Sequence, residues 1–132
     1  MNIYELPFAR IILLQEDIAE VLINDGVEMG AEMMDQCHAF LRTHLRCPFS
    51  LLVNNANSHS YSYAAQEKLT VMEEINAMAM VVYNQIAQFA AETLATYPRD
   101  HEWDLKIFLN REDALEWLVL EQNKSRKGAC LA

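Results

Sequence analysis

Phe49-Ser-Leu-Leu-Val53 is a short apolar run held between Pro48 and the pair Asn54 and Asn55, and it constrains the fold more than any other segment. A half-exposed strand alternates apolar and polar residues, whereas a run this continuous suits a strand in a sheet covered on both faces. Ala77 to Tyr83 gives a second apolar strand, and Asp104-Leu-Lys-Ile-Phe-Leu109 a final one. The segments between these runs must then cross over the sheet.

Their patterns are helical. Residues 29–45 place Met29, Met33, Cys37, Phe40, Leu41, His44 and Leu45 at helical spacing, opposite Glu32, Asp35, Gln36, Arg42 and Arg46. That is an amphipathic helix with one buried face, closed by Pro48. After the polar loop that follows Val53, Ala65, Leu69 and Met72 can line a short second helix. Ile86, Phe89, Ala90, Thr93, Leu94 and Tyr97 form a third stripe, which Pro98 ends. Asn110 is a good N-cap for a fourth helix, and Glu112 and Asp113 suit the positive end of its dipole. Ala114, Leu115 and Leu118 would pack that helix on the sheet.

Strands separated by crossover helices imply a largely parallel sheet. At the N-terminus, Ile3 to Leu14 reads as one or two short strands with Pro7 at a bend, and Asp17 to Asn24 as another ending in the turn Asp25-Gly26. The expected architecture is α/β: a mixed sheet of five to six strands, mostly parallel in its core, with antiparallel N-terminal strands and four flanking helices. It occupies residues 1–120, and 121–132 form a short basic, flexible tail.

Composition narrows the partners. With 132 residues and 52% hydrophobic content, one domain can bury a core without disulfides or metals. Residues 1–120 carry 7 Lys and Arg against 18 Asp and Glu, so the body is acidic and repels phosphate backbones and anionic lipid. Nucleic acid is a poor partner, and a basic protein surface a better one. Cys37, Cys47 and Cys130 follow no disulfide framework, which suits a reducing, cytoplasmic setting. Ile11 to Leu14 is too short for an export signal, and Ile75 to Tyr83 is about half the roughly 20 residues of a spanning helix, so no membrane insertion is expected.

The N-terminal strands, the loop Leu52-Val-Asn-Asn-Ala-Asn-Ser-His-Ser-Tyr61, the strand at 77–83 and the stretch Phe108-Leu-Asn-Arg-Glu-Asp-Ala-Leu-Glu-Trp-Leu118 together resemble the SpoIIAA-like family, which is related to STAS domains. The resemblance covers nearly all of residues 1–120. It implies a small mixed sheet flanked by helices, often without known activity in close relatives. In the anti-anti-sigma branch, a serine at the start of the helix after a central strand is phosphorylated to control a kinase partner. The matching junction here holds Ser58, Ser60 and Ser62, although Asn57-Ser58-His59-Ser60 stands where that branch has Asp-Ser-Ser/Thr-Gly. The same architecture resembles domains that bind lipids or other small apolar ligands between helix and sheet.

The loop therefore carries the candidate site: Asn54, Asn55, Asn57, Ser58, His59, Ser60 and Tyr61, for a protein partner or a ligand. Its serines suit helix capping, or a phosphate placed on free backbone donors. The asparagines suit loop shaping or orientation of a polar ligand, and Tyr61 and Tyr63 suit anchoring of the loop on the core. His59 beside serines invites a hydrolase, yet adjacency in sequence does not supply the required hydrogen bond, and neither a Gly-x-Ser-x-Gly elbow nor a glycine-rich phosphate loop is present. Cys37 and His44 would lie about 10 Å apart along a helix axis, too far to share one ion, and they suit the core instead. No cofactor, metal or catalytic residue is expected. The leading expectation is a non-enzymatic module that acts through protein contacts at residues 54–63, with a homodimer as one form. The alternative is a small apolar ligand held between that loop and the helix at 29–45 or at 84–97.

Overall fold

The chain opens with β1 (Asn2–Glu5) and β2 (Ala9–Gln15), which reverse direction around Pro7, followed by β3 (Ile18–Ile23). A computed structural model describes residues 2–57, 59–70, 73–96 and 104–125. The turn after β3 uses Gly26 at φ 78°, a left-handed conformation that glycine adopts without steric penalty. A two-residue strand, β4 (Glu28–Met29), leads into α1 (Ala31–His44). There follow β5 (Phe49–Asn55), β6 (Ser60–Tyr61), α2 (Tyr63–Thr70), β7 (Ile75–Val82), α3 (Gln85–Ala95), β8 (Asp104–Phe108) and α4 (Arg111–Ser125). Leu69's side chain, Met72, Tyr97, Pro98 and Cys130 lie outside the described residues.

Six strands form one sheet in the order β1-β2-β3-β5-β7-β8, and β4 pairs with β6 in a separate parallel ladder. The first three strands are antiparallel, while β3, β5, β7 and β8 are parallel. This is the expected mixed α/β sheet with four helices. Because each new parallel strand is added on the same side, crossovers of one hand place α1, α2 and α3 on one face. On that face Met34, Cys37 and Leu41 of α1, Ala65 of α2, and Ala91 and Leu94 of α3 bury against residues such as Leu51, Val53, Met78 and Met80. No strand follows α4 among the described residues. It covers the other face through Ala114 and Leu118, packed on Ile18, Leu52, Ala77, Ala79 and Val81. The alanines of β7 let this helix approach closely. Val53 and its neighbours are thus covered on both sides, which is why their run is so continuous.

Two expectations need correction. The buried stripe of α1 takes in Met34 and His38 beside Cys37 and Leu41, with Met33 and Phe40 partly buried against the same core, and it leaves out His44. His44 is exposed: its ring stacks on Phe40 at 4.0 Å, and its Nδ1 lies 2.9 Å from the Phe40 carbonyl oxygen. His38 takes the inward position instead, and burial pushes its imidazole down to about 4, so it packs as a neutral ring. The second concerns the C-terminal boundary. α4 continues through Ser125, and Gln122 is buried within a polar network, accepting from Ser50 Oγ (2.5 Å) and Asn76 Nδ2 (2.8 Å) and donating to Asp17 Oδ2 (2.9 Å) and the Pro48 carbonyl (3.0 Å). Residues 121–125 therefore belong to the folded body, and 126–132 lie outside the described residues. No described helix is long and apolar enough to cross a membrane.

Candidate binding site

Asn54 and Asn55 are consecutive on a strand, so their side chains leave opposite faces of the sheet. Asn54 is buried on the α4 side, where its Nδ2 donates to Glu20 Oε2 at 2.8 Å. Its Oδ1 is the single buried side-chain oxygen or nitrogen among the described residues without a hydrogen-bond partner. Glu20 also receives Arg111, at 2.7 Å from Nη2 and 3.1 Å from Nε. Burial raises the Glu20 carboxyl, but the hydrogen bonds from Arg111 and Asn54 and the charge of Arg111 outweigh it and hold the group below the usual carboxylate range. Asn54 thus belongs to a buried ion-pair network that fastens the first turn of α4.

Asn55 faces the other way and, with the loop after it, lines a cavity of about 420 Å³ against α3. Two backbone bonds fix the loop: Ser60 N–H donates to Val27 O at 3.1 Å, and Ser62 N–H to Met29 O at 2.9 Å. Asn57 Nδ2 donates to Ile23 O at 3.1 Å, and His59 Nδ1 to Asn57 O at 3.2 Å. Burial lowers the His59 imidazole, and the bond to Asn57 only partly offsets this. Its ring meets Tyr61 edge to face at 5.3 Å. Tyr61 packs against the core, and burial raises its phenol, so the hydroxyl stays protonated.

The serines differ in placement. Ser62 caps α2, since its Oγ accepts from Ala65 N–H at 3.1 Å. Ser60 is exposed at the cavity, and Ser58 lies outside the described residues. Tyr63 corrects the expectation that both tyrosines anchor the loop: Tyr61 does, whereas Tyr63 is 69% exposed on the first turn of α2.

The opposite wall comes from α3. Asn84 caps that helix, its Oδ1 accepting from Ala87 N–H at 2.8 Å, and Ile86, Ala90 and Leu94 face the cavity over Met80 of β7. Of the two helices considered as walls, the one after residue 84 takes part, and α1 contributes no lining residue. Gln66, Met80 and Asn84 were not singled out from sequence. Gln66 and Met80 resemble any helix or strand residue, and Asn84 carries only a capping signal. Among the described residues no three His, Cys, Asp or Glu side chains are grouped to hold a metal ion. Cys37 is buried, which pushes its thiol up to about 12.

The sheet order and the layer arrangement define a class, the SpoIIAA-like α/β fold. A solved structure similar to this chain is that of an uncharacterised protein of the DUF3478 family from Shewanella loihica PV-4, with a SpoIIAA-like fold. The two share 17% identity and a TM-score of 0.57, over 83% of this chain and 91% of that one. At that identity the likeness speaks to the fold alone. No protein-family model matches the chain, and no curated protein matches it.

Proposed function

We propose that the protein is a non-enzymatic binding module that holds a small, largely apolar ligand between the 54–63 loop and α3. The observation that carries this reading is the cavity of about 420 Å³. It falls within the roughly 300–1,000 Å³ of small-molecule sites and combines apolar lining residues with a few polar groups. A non-enzymatic role is supported by the work these side chains already do in the loop: Ser62 Oγ caps a helix and His59 Nδ1 holds a backbone carbonyl.

The test is titration with Nile red, a neutral apolar dye that brightens on leaving water, for the native chain and for Ala90→Trp. Ala90 is exposed at the cavity mouth, so the larger ring blocks entry without disturbing the core. Saturable binding lost in A90W supports the reading. No binding, or binding indifferent to the substitution, overturns it.

A protein contact on the same edge is the second reading. It is favoured by Ile86 at 84% and Phe89 at 75% exposure on α3, large apolar side chains on a helix with little charge. Exposed Ser60 then offers a position where phosphorylation would change that surface. Light scattering of native and Phe89→Lys protein separates the cases, because self-association through α3 would be lost in the variant.

A further inference from the structure

We infer that the guest of this cavity is electrically neutral, with an apolar body against α3 and an uncharged hydrogen-bonding head at the loop. This rests on the ligand-binding reading above and narrows it to a chemical class. Among the described residues, no Lys, Arg, Asp or Glu lines the cavity. Its polar lining is supplied by the amides of Asn55, Asn57, Gln66 and Asn84 and the hydroxyls of Ser60 and Thr93, the last already donating to Phe89 O at 3.0 Å.

Such groups can share hydrogen bonds with an alcohol, an amide or a neutral heterocycle. They cannot neutralise an ion. Among the described residues, two titratable side chains line the walls, His59 and Tyr61, and both are uncharged near neutrality because burial penalises their ionised forms. Asn57 and Gln66 also each commit an amide N–H to a backbone carbonyl, at 3.1 Å and 3.3 Å, which ties down part of their donor capacity. A carboxylate or phosphate would leave water without a cationic partner, in a chain whose net charge of −9 already repels it. An ammonium would find no carboxylate among the described lining residues. Desolvating an unpaired ion is the larger effect in either case, so charge rather than chain length should decide which molecules enter.

Three probes of equal chain length test this: 1-octanol, octanoate and octylamine, each competing with Nile red at pH 7.5. The expected result is that 1-octanol binds at least tenfold more tightly than either ion. Ser60→Lys should then reduce octanoate's disadvantage at least tenfold. Ser60 is exposed and pairs through its backbone in β6, so the substitution leaves the ladder intact. A disadvantage of less than tenfold for either ion overturns the inference while leaving the binding site standing, and so does an S60K preference that does not move. If none of the three displaces Nile red, or Nile red itself does not bind, the binding-site reading fails and this inference with it.

Discussion

Removing the cation from the Glu20 network tests the account of how α4 is held. Glu20 is 3% exposed and its carboxylate is satisfied by Arg111 and Asn54, so Arg111→Met leaves a buried charge with one neutral donor. Breaking one partner of a buried pair generally costs about 3–5 kcal/mol. The Arg111 side chain is 39% exposed, so water reaches the pair and the low end applies, about 3 kcal/mol. Urea unfolding followed by circular dichroism, extrapolated linearly, measures it at pH 7. The pH dependence supplies a second signature. In the native chain the Glu20 pKa lies below its unfolded value, so its stabilisation is present above about pH 4.3 and is lost as pH falls through the folded value. In the variant burial dominates and raises that pKa, so acid relieves the buried charge and the gap between the two proteins narrows from pH 7 to pH 5. Glu20→Gln combined with Arg111→Met should recover most of the loss, since the amide oxygen still accepts from Asn54. A deficit under about 1 kcal/mol at pH 7, or one that is the same at both pH values, refutes the reasoning.

Two further outcomes follow from the described contacts. Ser62→Ala removes the α2 cap and should cost about 1 kcal/mol in urea unfolding, while Tyr63→Ala beside it, exposed, should change stability by less than about 0.5 kcal/mol; equal losses would mean that the cap is not what matters there. Gln122→Ala empties the hub shared by Ser50, Asp17, Asn76 and the Pro48 carbonyl, leaving several groups unsatisfied, and should cost about 2–4 kcal/mol, with hydrogen exchange speeding at β5 and β7; a loss confined to the last turn of α4 would contradict this.

Much of the architecture was legible because hydrophobic periodicity marks helices and strands. The run at 49–53, the helix at 85–95 and the Asn110 cap each lie where the residues indicate, and Asn110 Oδ1 accepts from Glu112 N–H at 2.7 Å and Asp113 N–H at 3.2 Å. The stripe of that third helix does not report burial: Ile86, Phe89, Ala90 and Thr93 are exposed, and Ala91 and Leu94 are the buried positions. The face of α1 was misjudged because polarity hid His38: a neutral buried imidazole looks, by composition, like a surface residue. Glu20 and Gln122 escaped for the same reason, since a polar residue in the interior depends on partners 91 and 105 residues away in the chain, such as Arg111 and Asp17. The β4–β6 ladder has two residues per strand, too few to leave a periodic signal. The loop stood out as a candidate site, but the helix beside it was open between two, and only three-dimensional packing places α3 there.

The opposite orientations of Asn54 and Asn55 make the sheet a partition between two kinds of work. One asparagine serves the lock that keeps α4 in place, and the next opens on the space where a guest would sit. Exposed cavity positions such as Ile86, Ala90 and Thr93 carry little of the core, so they can be varied in a library without first re-engineering stability. Stabilising changes made under α4 leave that library's chemistry untouched. For a protein engineer, the parts that hold the fold and the parts that line the cavity are separable and can be tuned one at a time.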